Sequence, residues 1–155
     1  QLTYTEFRYS DMSGVNLTNA WIYGGGDWLM VDLSYADLTN AMMYDLDLRY
    51  ANLTGADLTD ADLSISYLIK ADLSNANLTN ADLTGAVMSE AKFNGANLDG
   101  AELEDAFLHG ADLTRVINLT CEQLDLANFD KETLFPEYIQ INWNSDNTFT
   151  CCDRD

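Results

Sequence analysis

Basic residues are scarce in this chain. Its 155 residues include 7 lysines and arginines against 26 aspartates and glutamates, which gives a formal net charge of −19. A surface this acidic excludes binding to nucleic acid or to an anionic membrane through a basic face. High net charge can signal disorder, but 47% of the residues are hydrophobic, so the chain has the material for a buried core.

Several features that carry chemistry or membrane insertion are also missing. No apolar run approaches the ~18 residues that a membrane span requires. The single histidine, His109, has no serine or cysteine paired with it by a motif, which argues against a catalytic triad. The cysteines form no CxxC pair, and no EF-hand loop is present. We therefore expect no enzymatic activity, no metal site and no cofactor.

A five-residue repeat runs through most of the sequence. Residues 56–60 read ADLTD and residues 76–80 read ANLTN. Large apolar residues occupy every fifth position from Trp28 to Leu113, which makes 18 units without an exception. This period fits neither an amphipathic helix nor a strand, so the chain has to turn every five residues. Upstream, the same period is kept by Leu2, Phe7, Met12, Leu17 and Ile22.

This pattern resembles the pentapeptide-repeat family, whose motif is a small residue, Asp or Asn, Leu, Ser or Thr, and a variable residue. The resemblance covers residues 1–115 and implies an all-β fold, a right-handed quadrilateral β-helix of roughly six coils. In each unit the central residue, such as Leu58, and the small residue, such as Ala56, are expected to point inward. Their neighbours Asp57 and Thr59 then point outward by alternation.

We predict two regions, the β-helix over residues 1–118 and a C-terminal cap with an irregular tail over residues 119–155. Thr120 and Gln123 have the spacing of a capping box at the start of a short α-helix. Pro136 ends the capping segment.

One residue is inserted in the repeat near residues 24–26, because the spacing from Ile22 to Trp28 is six rather than five. The three glycines there permit left-handed backbone angles, and we interpret them as a bulge. A phosphate-binding loop is the alternative. No lysine follows the run and no strand–helix context surrounds it, which argues against that alternative.

The cysteines Cys121, Cys151 and Cys152 all lie outside the repeat. A disulfide from Cys121 to Cys151 or Cys152 would fasten the tail across the cap and indicate an oxidising compartment, such as the periplasm or thylakoid lumen. Three free thiols, or a strained bond between the adjacent cysteines, are the alternatives. The first residue is Gln1 rather than methionine, which we interpret as processing or trimming. We predict an extracytoplasmic location, with the cytoplasm as the alternative.

Four units per coil place every fourth unit on the same side of the rod. Side 1 is centred on Trp28, Leu48, Leu68, Met88 and Leu108; side 2 on Leu33, Leu53, Leu73, Phe93 and Leu113; side 3 on Leu38, Leu58, Leu78 and Leu98; and side 4 on Ile22, Met43 and Leu63.

The outward positions of these sides differ in polarity. Sides 2 and 3 carry mostly Asp, Asn, Ser and Thr, apart from Lys92. Sides 1 and 4 carry apolar and aromatic residues, which we expect to touch along the rod as one strip, because coils stack about 4.8 Å apart. Exposed patches of this kind usually mark a contact surface; cover by a terminal segment and scattered exposure are the alternatives. The candidate residues are Trp21, Tyr23, Leu29, Met42, Tyr44, Tyr67, Ile69, Val87 and Phe107.

Two functions fit this pattern. In the first, the rod is a non-catalytic structural or interaction module that presents its apolar strip to a protein partner or to a second copy of itself. The second follows from the resemblance, since quinolone-resistance members of the family imitate duplex DNA and occupy DNA gyrase. We favour the first, because gyrase is cytoplasmic while the cysteines indicate export, and because the acidity follows from the repeat itself.

Overall fold

The computed structural model describes residues 1–2, 4–146 and 148–153. Its main feature is a set of parallel β-bridges that join residues 20 positions apart, such as Asp57 to Asn77 and Asn77 to Asn97. A repeat of 20 residues built from five-residue units places four units in each coil. The chain therefore winds into a four-sided β-helix.

Each unit turns the chain by the same local geometry, as residues 57–61 illustrate. Leu58 is fully buried at 0% exposure, and Asp60, the last residue of its unit, has φ of 56°. A bond from the Ala61 N–H to the Leu58 carbonyl oxygen, 3.1 Å long, closes the corner. Asp, Asn and Gly tolerate this left-handed angle best, which explains why they are frequent at the fifth position.

Large apolar side chains and alanines fill the axis of the helix. Every central residue of the repeat from Ile22 to Leu113 is buried, whereas those of the first coil are partly buried. The inward direction predicted from the repeat is therefore confirmed. Burial of this apolar surface, at roughly 25 cal/mol per Å², is the main source of the coil's stability.

Leu46 breaks the repeat, because a large residue stands where the pattern has a small one. At regular corners the N–H of the small residue bonds directly to the carbonyl oxygen three residues earlier. Here the hydroxyl of Ser66, from the next coil, bridges the two groups: it donates to the Met43 carbonyl oxygen at 2.8 Å and accepts from the Leu46 N–H at 3.1 Å. Ser66 is itself completely buried.

The glycine run shifts the register of the coils. Bridges that span it join residues 21 apart, whereas the following bridges, from Asp27–Asp47 to Asn97–Ile117, join residues 20 apart. Gly24 and Gly25 have φ of 97° and 71°. A Cβ atom on Gly26 would lie 2.7 Å from the carbonyl oxygen of Thr5. The run thus accommodates the extra residue as a bulge. Residues with side chains would be strained by these backbone angles and would clash at Gly26.

The helix α1 (Cys121–Asp125) interrupts the ladder without ending it. Thr120 is its N-cap and forms a capping box with Gln123. Beyond α1 the chain returns to the coil, where Asn128 and Leu134 bridge to residues of the preceding coil. The predicted end of the repeat at residue 118 is therefore too early, because two segments without the sequence motif still continue the bridges.

The prediction of an irregular tail is wrong. Strands β1 (Ile139–Trp143) and β2 (Phe149–Asp153) form an antiparallel hairpin in which Ile141 pairs with Cys151. The alternation of β1 spans only five residues, too short a signal to separate from a loop. The ring of Phe129 anchors the hairpin, with centroids 5.8 Å from Trp143 and 4.5 Å from Phe149. Within the described chain, no helix is both long enough and apolar enough to cross a membrane.

Candidate interaction surface

The outward ladder of side 1 changes from acidic to apolar along the rod. Two aspartates occupy its early bridge positions, and Tyr67, Val87 and Phe107 occupy the following ones. Tyr67 is 48% exposed and Phe107 is 40% exposed, so the apolar part faces solvent. Ile69 lies beside Tyr67 on the same side. We define the side-1 patch as Tyr67, Ile69, Val87 and Phe107.

The ladder of side 4 has the opposite order. Trp21 is bridged to Met42 and Met42 to Asp62, after which two more acidic residues follow. The rings of Tyr23 and Tyr44 stack, with centroids 4.7 Å apart and planes inclined by 10°. The ring of Trp21 lies 6.4 Å from that of Tyr23. We define the side-4 patch as Trp21, Tyr23, Met42 and Tyr44.

Eight of the nine candidate residues fall into these two patches and Leu29 lies outside both, so the order along the ladders does not give the one continuous strip that was predicted. The side-4 patch lies in early coils and the side-1 patch in later ones. Leu29 is separated from Ile69 on side 1 by Arg49, which occupies the equivalent position of the coil between them. Arg49 forms two hydrogen bonds to the Asp47 carboxylate, at 2.7 and 2.6 Å. The prediction failed because residues were grouped by side without following their order along each ladder.

A groove of about 440 Å³ adjoins the side-1 patch and is lined by Gly25, Asp47, Arg49, Tyr67 and Ile69. The hydrogen bond from the Arg49 side chain lowers the pKa of Asp47, which keeps this carboxylate charged and paired at neutral pH. The groove therefore combines apolar side chains with a neutralised ion pair. This composition suits contact with another surface.

A second set of exposed apolar residues occupies corners and was not predicted. All have φ between 52° and 60°, an angle that costs a bulky L-residue about 1–2 kcal/mol. It is least favourable for the β-branched Ile65. Since the backbone favours Gly or Asn here, these side chains are held at a cost in backbone energy. The available signal was a large residue at the fifth position of a unit. The set comprises Tyr4, Tyr9, Met30, Tyr35, Tyr50 and Ile65.

The carboxylates and amides of the ladders serve the backbone. Oδ1 of Asp57 accepts a bond from the Thr59 N–H at 3.1 Å, and many equivalent Asp and Asn residues repeat this bond. At Asp32 the hydroxyl and N–H of Ser34 together lower the pKa of the carboxyl group. This structural use explains why the repeat requires Asp or Asn. In the part of the chain that is described, no cluster of His, Cys, Asp and Glu has the arrangement to hold a metal ion.

The cysteines join the hairpin to the helix. Cys121 of α1 is bonded to Cys151 of β2, with Cα atoms 5.5 Å apart. Of the two partners predicted for Cys121, the structure contains Cys151. This bond leaves no Cys151 thiol for the alternative bond to Cys152, which pairs through its backbone with Gln140.

Sequence comparison matches the chain to the family described as Pentapeptide repeats, in eight copies over residues 31–64, 66–105, 81–120 and 91–130. A search of curated proteins found no relative.

Three solved pentapeptide repeat proteins illustrate the structural similarity. HetL from Nostoc sp. strain PCC 7120, involved in heterocyst differentiation regulation, is 27% identical over 86% of this chain and 65% of its own, with a TM-score of 0.50. A protein of the Arabidopsis thaliana thylakoid lumen is 32% identical over 68% of both chains, with a TM-score of 0.51. A second Nostoc PCC 7120 protein is 32% identical over 70% of this chain and 84% of its own, with a TM-score of 0.52. The chain thus spans 65% of the length of HetL.

Proposed function

This chain belongs to the pentapeptide-repeat family, and from that premise we propose that it is a non-catalytic protein-interaction module. The observation that carries the proposal is the side-1 patch. There Tyr67, Val87 and Phe107 occupy consecutive ladder positions, whereas the equivalent positions of sides 2 and 3 are almost all Asp or Asn. A run of apolar residues at positions that the repeat makes polar favours a contact surface.

The energetics of burial support a partner for the side-1 patch. Aromatic residues are enriched in protein interfaces, and each Å² of apolar area left in water forfeits roughly 25 cal/mol. The hairpin of the C-terminal tail packs on Phe129, since Trp143 and Phe149 lie against its ring. Tyr67 and Phe107 remain 48% and 40% exposed. Cover by this part of the tail therefore does not account for the patch.

We also infer that α1 and the hairpin cap a solenoid of roughly six coils. The Gln123 side-chain amide donates to the carbonyl oxygens of Leu98 and Ala101, at 2.9 and 2.8 Å. In earlier coils, a backbone N–H of the following coil bonds to the oxygen equivalent to that of Ala101. The Thr133 hydroxyl donates to the Leu108 carbonyl oxygen at 2.9 Å. With these oxygens satisfied by the C-terminal segment, a further regular coil would find fewer acceptors, which supports a discrete end to the rod.

We propose that the protein functions in an oxidising compartment outside the cytoplasm. The bond between Cys121 and Cys151 supports this location, because disulfides persist mainly in such compartments. Peptide mapping without reduction, after alkylation in the native cells, should recover Cys121 and Cys151 as joined peptides. Recovery of all three cysteines as alkylated thiols would contradict the proposal.

The interaction function is tested by the double substitution Tyr67→Asp with Phe107→Asp. Neither side chain lies in the core, so the variant should fold. Its association should weaken by about tenfold or more, because a desolvated aromatic anchor is replaced by a charge. The matched control is Asn77→Asp with Asn97→Asp, which adds the same charge to the ladder of side 3.

Sedimentation velocity measures self-association, and cross-linking in extracts of the native cells measures binding to a partner. Circular dichroism measures folding of both variants. The proposal is wrong if the side-1 variant folds and every association persists as in the wild type. Unfolding of this variant alone would assign the patch to internal packing instead.

A further inference from the structure

We propose that the side-4 patch recognises the cationic side chains of a basic protein segment. The site is the open face of the Tyr44 ring, with Asp62 of the next coil supplying the counter-charge. The proposal rests on the proposed interaction function and specifies the chemistry of the partner.

The stacking of the rings leaves one face of Tyr44 open along the rod. Tyr23 covers the other face, with ring centroids 4.7 Å apart and planes inclined by 10°, and this separation is close to the spacing of successive coils. The bridge between Met42 and Asp62 places Ser64 at the position equivalent to Tyr44 in the next coil. Serine is small, so it does not continue the stack as a third ring. The space next to the Tyr44 ring, which we call the slot, is therefore bounded by a small side chain rather than by a third ring.

The slot is surrounded by negative potential. The face of an aromatic ring carries the negative part of its quadrupole and attracts cations. Burial raises the pKa of the Tyr44 hydroxyl, and the charges of Tyr23, Asp62 and Asp45 raise it further. The hydroxyl of Ser64 is bonded to Asp62 at 2.6 Å, which fixes the direction of this carboxylate. The Asp62 carboxylate of the next coil is thus close enough for its charge to act on Tyr44.

The chain contains a related arrangement with its cation in place. The ammonium of Lys70 lies 5.9 Å from the Tyr50 ring centroid and 3.2 Å from a carboxylate oxygen of Glu90. These three residues succeed one another at intervals of 20 along a corner of the rod. Tyr44 supplies the ring and Asp62 the carboxylate, here one coil beyond the ring rather than two, and Ser64 provides no charge. An external lysine or arginine would complete this set as Lys70 completes the other.

Charge selects a basic segment over a second copy of the chain. Two copies that each carry a net charge of −19 repel one another, whereas a cationic partner is attracted and steered. The ladder beyond Asp62 continues with Asp82 and Glu102. A segment with several basic residues therefore finds further counter-charges in line with the slot.

The test measures binding of a synthetic peptide of alternating arginine and glycine by isothermal titration calorimetry, near physiological salt. Tyr44→Ser removes the ring without changing the net charge and should weaken binding by about tenfold, within the range of desolvated cation–π contacts. Tyr44→Phe keeps the ring face and should bind with an affinity close to that of the wild type.

A second comparison is independent of the ring substitutions. Asp62→Asn and Asp57→Asn each remove one charge, and asparagine keeps the acceptor for the N–H two residues on. We expect Asp62→Asn to weaken peptide binding several-fold more than Asp57→Asn on side 3, because the interaction falls off with distance.

Three results would overturn the proposal: no binding to the wild type, wild-type affinity in Tyr44→Ser, or equal losses in Asp62→Asn and Asp57→Asn. The last two would assign the attraction to the acidic rod as a whole. The double substitution in the side-1 patch tests the proposed function separately. If that variant loses association while the Tyr44 variants bind the peptide like the wild type, only the cation site is wrong.

Discussion

At the scale of single residues, exceptions to the repeat occur in compensating pairs. Leu46 is too large for its position, and the buried hydroxyl of Ser66 replaces the corner bond between the Leu46 N–H and the Met43 carbonyl. Neither residue is explained alone, because leucine is disfavoured there and serine is a poor core residue. Together they keep both backbone groups hydrogen-bonded.

We predict that Ser66→Ala lowers the free energy of unfolding by about 1–3 kcal/mol, because two buried backbone groups lose their partner. In a Leu46→Ala background the corner can close directly, so the same substitution should cost well under half as much. Urea unfolding of the wild type, both single variants and the double variant measures this coupling. An equal cost in both backgrounds would contradict the compensation.

The ladder aspartates couple stability to pH. The hydroxyl and N–H of Ser34 hold the pKa of Asp32 below its ordinary value. When the pKa in the folded state is lower than in the unfolded state, the unfolded state binds more protons, so stability rises with pH in that range. The contribution of Asp32 is therefore fully present above the unfolded pKa of about 3.9 and is lost as pH falls through the lower folded value.

We predict that Asp32→Asn makes the free energy of unfolding less sensitive to pH between about pH 5 and pH 2, the range in which this carboxylate is protonated. Asparagine accepts the same backbone bond without titrating, as Asn52 does from the Thr54 N–H at 3.1 Å. Urea unfolding at several pH values compares the two slopes. Parallel curves for the wild type and the variant would show that Asp32 contributes no such linkage.

At the scale of elements, the hairpin β1–β2 depends on contacts outside itself. A two-stranded hairpin is at best marginally stable alone. This one is held by the ring cluster around Phe129 and by the bond between Cys121 and Cys151, which are 30 residues apart. Closing a loop of that length is worth roughly 3–4 kcal/mol in the chain-entropy model. The hairpin should therefore loosen before the coils do.

We predict that reduction of the disulfide increases amide hydrogen exchange in residues 139–143 and leaves residues 31–113 unchanged. Local opening of the hairpin costs less once its covalent anchor is removed, while the coil ladders are unaffected. A variant with Cys121→Ser and Cys151→Ser serves as the control and should not respond to reductant. Exchange that is the same with and without reductant in the wild type would contradict this dependence.

At the scale of the whole molecule, the five-residue repeat determines where most of the acidic residues lie. Many of the 26 acidic residues stand at ladder positions where an oxygen accepts a backbone N–H, as at Asp57. The negative charge therefore follows largely from a structural requirement of the coil. The positions of the aromatic residues do not follow from this requirement, because most of them stand at outward or corner positions where the repeat usually has polar residues.

We predict that the protein does not inhibit DNA supercoiling by gyrase at micromolar concentration. An acidic rod attracts any basic surface, but such attraction is unspecific and screened by salt. Supercoiling assays with increasing protein, near physiological ionic strength, check this expectation. Strong inhibition that is lost on neutralising Asp37 and Asp57 on side 3 would favour imitation of DNA as the function.

The sequence by itself determined the coil. A strict period of five places residues such as Leu58 inward and Asp57 outward, because that choice depends only on local alternation and on space at the axis. The same reasoning located the extra residue at the glycine run and the capping box of Thr120 and Gln123. Each of these features is specified by residues that are near one another in the chain.

The tertiary structure alone decided which distant residues meet. Only stacked coils place Tyr23 over Tyr44 and turn one expected strip into two patches, since neighbours on a ladder are 20 to 22 residues apart. The choice of Cys151 as the partner of Cys121 follows from a hairpin that five alternating residues were too short to reveal. Such contacts depend on register and on packing against the finished coil, so they arise only when the whole chain has folded.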